Sequence, residues 1–100
     1  MQRKAREVRS ALQTKGFQEE RRDHWYYFLY HNGKKSNIYT KVSHGETEIS
    51  TGLCSAMARQ IKLTSPQFGE FVDCKLTAEK YVELLIAAKY LSKADEQESG

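Results

Sequence analysis

Residues 24–30 read His-Trp-Tyr-Tyr-Phe-Leu-Tyr, and this run of bulky aromatic side chains decides the fold class. Aromatic residues favour β-strands because they pack well on a pleated surface. Asn32-Gly33 follows, and an Asn-Gly pair between two strand patterns is the strongest short-range signal for a hairpin turn. Residues 36–42 then alternate in strand fashion. The sequence therefore predicts one strand over 24–30 and a returning strand over 36–42.

A helix and a short strand are predicted before this hairpin. Within residues 4–15, apolar side chains recur at the three- and four-residue spacing that one helix face requires; they are Ala5, Val8, Ala11 and Leu12. Gly16 can adopt the left-handed conformation that commonly ends a helix. Residues 17–21 then complete a set of three short antiparallel strands.

Helices are predicted after the sheet. One follows an N-cap at Ser50 or Thr51, one begins with Ser65 as the capping hydroxyl before Pro66, and one follows Thr77. The apolar residues assigned to them are Leu53, Cys54, Met57 and Ile61; Phe68, Phe71 and Val72; and Tyr81, Leu84, Leu85 and Ala88. The expected fold is two-layer α+β: a helix, a three-stranded antiparallel sheet and a helix, plus one or two C-terminal helices. Residues 1–92 would form one domain, with the helical extension starting near residue 65, and 93–100 a polar tail.

The composition is that of one globular domain: 100 residues, 39% of them hydrophobic and 29% charged. The charge is unevenly distributed. Residues 1–45 contain ten Lys and Arg against four Asp and Glu, a net +6, whereas residues 46–100 contain six against nine, a net −3. A basic half indicates a polyanionic partner, although charges that only solvate the surface would give the same totals.

The two cysteines indicate neither a disulfide nor a metal site. Cys54 and Cys74 form no Cys-x-x-Cys pair, and no His lies at metal-ligand spacing from them. We therefore expect two free, mostly buried thiols, no metal, no cofactor and a reducing cytoplasmic location. No apolar stretch approaches the roughly 18 residues of a membrane helix, so no membrane association is expected.

Both faces of the strand over 24–30 are apolar. Alternation places His24, Tyr26, Phe28 and Tyr30 on one face and Trp25, Tyr27 and Leu29 on the other. One face can be the core, which leaves an aromatic surface on the other. Aromatic rings among cations suit stacking on unpaired bases beside phosphate neutralisation; the candidate cations are Arg21, Arg22, Lys34, Lys35 and Lys41. A homodimer interface, or a cover formed by the C-terminal helices, is the alternative.

His24 is the candidate catalytic residue. An imidazole exchanges protons near neutral pH, as attack of a 2′-hydroxyl on an RNA phosphate requires. Asp23 adjoins His24, the Arg21-Arg22 pair could hold the phosphate, and His44 could approach the same surface. A structural or simply exposed histidine is the alternative. The carboxylate pairs Glu19-Glu20 and Glu46/Glu48 are expected to be solvated.

The order of these features resembles the HicA-type mRNA interferase toxins over roughly residues 4–72. The resemblance rests on Gly16-Phe17, His24 at the start of an aromatic strand, Asn32-Gly33, Val42-Ser43-His44-Gly45, Glu48-Ile49, the helix through Leu53, Met57 and Ile61, and Leu63-Thr64 with Phe68. It implies a double-stranded-RNA-binding-domain-like fold, metal-independent RNA cleavage and a HicB-type antitoxin partner. The family's catalytic His corresponds to His24, and its His after the third strand to His44. The family's Gly-Ser before that catalytic His reads Arg22-Asp23 in this chain.

Three functions follow as hypotheses. The first is RNA binding with endoribonuclease activity, in which His24 acts as general acid or base and Arg21, Arg22, Tyr26, Lys34, Lys35, Lys41 and His44 contact RNA. The second is a binding module without cleavage, which the Arg22-Asp23 departure favours. The third is a protein-interaction domain that dimerises through its aromatic sheet face.

Overall fold

The computed structural model describes residues 2–45 and 47–91, and within them it confirms the α+β fold class. A three-stranded antiparallel sheet lies among four helices and one further pair of short strands. In chain order the elements are β1 (Arg3–Lys4), α1 (Ala5–Thr14), β2 (Phe17–Arg21), β3 (Trp25–His31), β4 (Lys34–Val42), β5 (Glu48–Ile49), α2 (Thr51–Gln60), α3 (Ser65–Val72) and α4 (Ala78–Ala87). No helix in the described ranges is long and apolar enough to cross a membrane.

The main sheet has the order β2-β3-β4, so the aromatic strand β3 is central. Asn32 and Gly33 both have positive φ, 53° and 76°, which is the geometry of the hairpin turn that an Asn-Gly pair predicts. The register of β3 against β4 shifts between Phe28 and Tyr30. A short pairing of β1 with β5, which the sequence did not predict, joins the segment before α1 to the segment before α2.

The helices cover one face of the sheet, which we call the inner face. Tyr27 and Leu29 of β3 point into the core there and are fully buried. The α1 helix contacts β2 and α2 contacts β4. In α4, the ring of Tyr81 lies 6.0 Å from that of Phe17, and its hydroxyl donates to the Ile61 carbonyl at 2.8 Å. The α4 helix therefore extends the core and does not cover the opposite, outer face.

The helix starts show how caps select element boundaries. The hydroxyls of Ser50 and Thr77 accept backbone N–H groups of α2 and α4, as predicted. The prediction that Ser65 caps α3 is wrong. The hydroxyl of Thr64 accepts the N–H of Gln67, and the Gln67 side chain accepts the N–H of Thr64. This reciprocal capping box satisfies two backbone donors, so the helix begins one residue earlier than predicted.

Several predicted positions differ in the structure. The strand β3 begins at Trp25, so His24 lies in the bend before it. Leu53 is 47% and Leu84 38% exposed, and Ala88 is exposed, because they lie at the rims of helices whose central residues fill the core. Cys74 is also exposed, not buried. It follows the end of α3 with φ of 63°, a left-handed conformation that terminates the helix at the surface.

Candidate nucleic-acid interface

Three aromatic rings on the outer face lie in contact with one another. The rings of Phe28 and Tyr39 are 5.1 Å apart and inclined by 23°, and those of Tyr26 and Phe28 are 6.2 Å apart and inclined by 18°. Phe28 and Tyr39 are register partners, and Tyr26 lies two residues along β3 on the same face. Tyr39 is 46% exposed. We call Tyr26, Phe28 and Tyr39 the aromatic platform.

Cations surround the aromatic platform. The ammonium of Lys35 lies 4.0 Å from the centre of the Phe28 ring, and the guanidinium carbon of Arg22 lies 5.1 Å from that of Tyr26. The ammonium of Lys41 lies 5.9 Å from the Tyr26 ring. These distances suit cation–π attraction. Four of the predicted site residues, Arg22, Tyr26, Lys35 and Lys41, are therefore brought together.

Glu20 joins two of these cations. Its carboxylate accepts hydrogen bonds from Lys35 at 2.6 Å and from Arg22 at 2.5 Å. The hydrogen bond from Lys35, followed by that from Arg22, holds the pKa of Glu20 below its usual range. Glu20 is therefore ion-paired as well as solvent-accessible, a pairing with Lys35 and Arg22 that the sequence did not predict. The surroundings of the platform contain three cations and one carboxylate.

Both candidate histidines lie at the end of the sheet where β3 begins. The N–H of Arg22 donates to the His24 carbonyl at 2.9 Å. The Nε2 atom of His44 lies 3.2 Å from the Arg22 carbonyl, and its ring lies 4.5 Å from that of Trp25. The Nδ1 atom of His24 is buried and has no hydrogen-bond partner among the described residues. The adjacency of Asp23 and His24 thus produces no hydrogen bond to this nitrogen.

Two of the predicted RNA contacts lie away from the platform. Arg21 is the register partner of Trp25, and the neighbours of Trp25 lie toward the inner face. The guanidinium of Arg21 lies 4.0 Å from the Glu19 carboxylate. Lys34 pairs with His31 beside the hairpin turn, at the end of β3 opposite to His24. Neither side chain is placed beside the three platform rings.

A hydrogen-bonded network fixes the inner face near the start of β3. The Tyr27 hydroxyl donates to the Glu19 carboxylate at 2.6 Å. Arg9 donates to the Tyr27 hydroxyl at 2.6 Å and to the Glu19 carboxylate at 2.9 Å. Burial, followed by the bond to Glu19, raises the pKa of Tyr27 to about 12. The Tyr27 and Arg9 bonds lower the pKa of Glu19, so this carboxylate too is paired and not merely solvated. Arg9 also stacks on Trp25, 3.5 Å above the ring centre.

The predicted site omitted Phe28, Tyr39 and Glu20. Phe28 could have been included, because it shares the face of Tyr26. Tyr39 could have been placed on this face, because regular counting from the turn puts it opposite Tyr26, but its pairing with Phe28 could not have been predicted. Regular counting from the pair His31–Lys34 puts Asn37 opposite Phe28, whereas the register shift puts Tyr39 there. Glu20 carried no signal of its own in the sequence, because its partners come from a loop and another strand.

Comparisons with family models, with curated proteins and with solved structures find no match to this chain. No group of His, Cys, Asp and Glu within residues 2–45 and 47–91 could hold a metal ion.

Proposed function

We propose that this chain is an RNA-binding domain that binds single-stranded RNA on its outer sheet face. The observation that carries the proposal is the aromatic platform with Arg22, Lys35 and Lys41 around it. Aromatic rings stack on unpaired bases of any sequence, while nearby cations neutralise the phosphates between them. The α4 helix packs on the inner face, so among residues 2–45 and 47–91 it leaves the platform accessible.

The binding test uses fluorescence anisotropy with an unstructured oligoribonucleotide. Tyr39→Ala should weaken binding by ~1–3 kcal/mol, the usual effect of removing one stacking ring. Leu84→Ala is the matched control, because Leu84 is a comparably exposed apolar side chain on α4, and it should leave affinity unchanged. Lys35→Gln should reduce the dependence of log affinity on log salt by about 0.7. Equal losses of RNA affinity in Tyr39→Ala and Leu84→Ala would contradict the proposal.

Endoribonuclease activity is a second candidate function. The specific observation favouring it is that His24 lies in the same bend as Arg22, whose guanidinium reaches the platform. His24 would take the proton of a 2′-hydroxyl as its oxygen bonds to the adjacent phosphorus and the P–O5′ bond breaks, which gives a 2′,3′-cyclic phosphate and a 5′-hydroxyl protonated by water. The resemblance to HicA-type toxins implies this reaction, a cytoplasmic location and a HicB-type antitoxin partner.

Cleavage is tested by incubating RNA with the protein in the presence of a chelator and resolving the products on a gel. His24→Ala should abolish cleavage, whereas His31→Ala, which removes an imidazole at the far end of β3, should not. If wild type and His24→Ala are both inert while binding persists, the domain binds RNA without cutting it. Concentration-dependent dimerisation through the platform without affinity for RNA would instead identify a protein-interaction domain.

A further inference from the structure

A second basic surface lies outside the aromatic platform. A cleft of about 350 Å³ opens beside the start of α1, and three cations line it: Lys4, Arg6 and Arg9. Its other walls include Trp25, Thr47 and Glu48. This volume falls within the ~300–1,000 Å³ of typical ligand sites. The cleft is therefore large enough to take part of a ligand and carries excess positive charge.

The cations of this cleft differ in whether they already form ion pairs with other side chains. Arg9 is engaged by Glu19, Tyr27 and the Trp25 ring. Lys4 and Arg6 are exposed and form no ion pair in the described part of the chain. Glu48 is the one carboxylate of the lining, and it accepts a hydrogen bond from Gln2. Lys4 and Arg6 thus line the same open space as Glu48, the register partner of Lys4, and the lining keeps a net positive charge.

The groove on the other side of Arg6 lacks this charge balance. It measures about 550 Å³ and lies between α1 and the end of α3. Glu7 and Asp73 line it together with Arg6, and no aromatic ring does. Asp73 is ion-paired with Arg3. The remaining charges of the lining, Arg6 and Glu7, therefore balance and leave no excess positive charge for an anion. The comparison singles out the cleft beside Trp25 as the site for a negatively charged group.

A short chain of contacts joins this cleft to the aromatic platform. Trp25, a wall of the cleft, contacts the His44 ring at 4.5 Å. The Nε2 atom of His44 lies 3.2 Å from the carbonyl of Arg22, whose guanidinium lies 5.1 Å from the Tyr26 ring. The two surfaces therefore meet around the end of the sheet where β3 begins. One extended ligand could contact both.

We infer that the cleft beside Trp25 binds a backbone phosphate of the same RNA strand whose bases stack on the aromatic platform. Lys4 and Arg6 are the phosphate-binding residues, and Trp25 forms the adjacent wall. The inference rests on the proposed function, because the ligand that reaches the cleft is the one held on the outer face. It predicts that only a strand long enough to pass around the end of the sheet gains the second contact.

The test compares a three-nucleotide and a twelve-nucleotide oligouridylate on the double variant Lys4→Gln/Arg6→Gln. For the twelve-mer, the slope of log affinity against log salt should fall by about 0.7, because one phosphate contact is lost. For the trinucleotide the affinity should not change. Arg59→Gln/Lys75→Gln, which removes two exposed cations elsewhere, is the control. An equal effect on both lengths, or an unchanged slope for the twelve-mer, overturns the inference.

Two further measurements do not depend on the folding of that variant. Trp25 is the single tryptophan of the chain, so its emission should change with the twelve-mer and not with the trinucleotide. Glu48→Gln should increase affinity for the twelve-mer, a change of sign that damage to the fold would not produce. An unresponsive Trp25 emission with the twelve-mer bound contradicts the inference, whereas failure of wild type to bind either length contradicts the proposed function itself.

Discussion

Tyr26 and Tyr27 are neighbours with the same side chain, and they lie in opposite environments. Tyr27 is fully buried on the inner face, where Glu19 and Arg9 satisfy its hydroxyl. Tyr26 is half-buried on the outer face, in contact with two rings and near Arg22 and Lys41. The type of side chain therefore does not by itself distinguish core from surface positions in this strand. What separates them is the layer that packs against each face.

The two faces should also differ in what each side chain contributes. On the inner face, rings remove apolar area from water and thus stabilise the fold. On the outer face, the rings of the aromatic platform remain partly exposed to water and have cations around them. This arrangement is typical of a ligand-binding surface and not of a core. Substitutions on the inner face should therefore act mainly on unfolding, and those on the outer face mainly on binding.

The largest expected effect is that of truncating the inner tyrosine. Tyr27→Ala should lower the free energy of unfolding by about 3–5 kcal/mol, because it leaves a cavity under the sheet and unpartnered groups on Arg9 and Glu19. Tyr26→Ala should cost about 1 kcal/mol or less. Urea denaturation followed by circular dichroism measures both. Similar losses for the two variants would show that the faces are not energetically distinct.

Alkaline pH should act on the inner face next. The pKa of Tyr27 is raised to about 12 in the folded state, whereas in the unfolded chain it is ~10. Its contribution is therefore fully present below pH ~10 and is lost as pH rises through ~12, on the order of 3 kcal/mol in total. Burial also raises the pKa of Tyr81, so the comparison is with Tyr27→Phe, whose stability should fall less steeply over that range. Parallel pH profiles would contradict the assignment.

Acid pH should act through Glu19 by a smaller amount. Its pKa is lowered in the folded state by Tyr27 and Arg9. The stabilisation is thus present above the unfolded value, ~4.3, and is lost as pH falls through the folded value. Glu19→Gln should cost roughly 1 kcal/mol at neutral pH, because a charged hydrogen bond becomes a neutral one, and should flatten the profile below pH ~4. An unaltered acid profile in Glu19→Gln would speak against the network.

The smallest expected effect on stability lies on the outer face, at Glu20. Glu20→Gln should leave the urea midpoint unchanged, because this exposed carboxylate is screened by solvent. It should nevertheless tighten RNA binding, because Arg22 and Lys35 lose their competing acid. The salt slope should steepen by about 0.7 for each phosphate gained. Weaker RNA binding would show that Glu20 serves to position the two cations and does not compete for them.

Much of the fold could be predicted from local patterns. The strand over 17–21, the Asn32-Gly33 turn and the buried face of α1 agree with the structure. The β1–β5 pair was missed, because two residues on each side carry no periodic signal. Of the predicted site, Arg22, Tyr26, Lys35 and Lys41 were brought together, while Arg21 and Lys34 were not.

Side-chain alternation was enough to predict that residues 25–30 lie in an aromatic strand with two apolar faces, since alternation is a local property of an extended chain. Tertiary structure alone decided which face is buried, because that depends on where α1, α2 and α4 pack. It also decided how the rings of the platform are arranged. The register shift between Phe28 and Tyr30 sets Tyr39 opposite Phe28, and no count from the hairpin turn contains that shift.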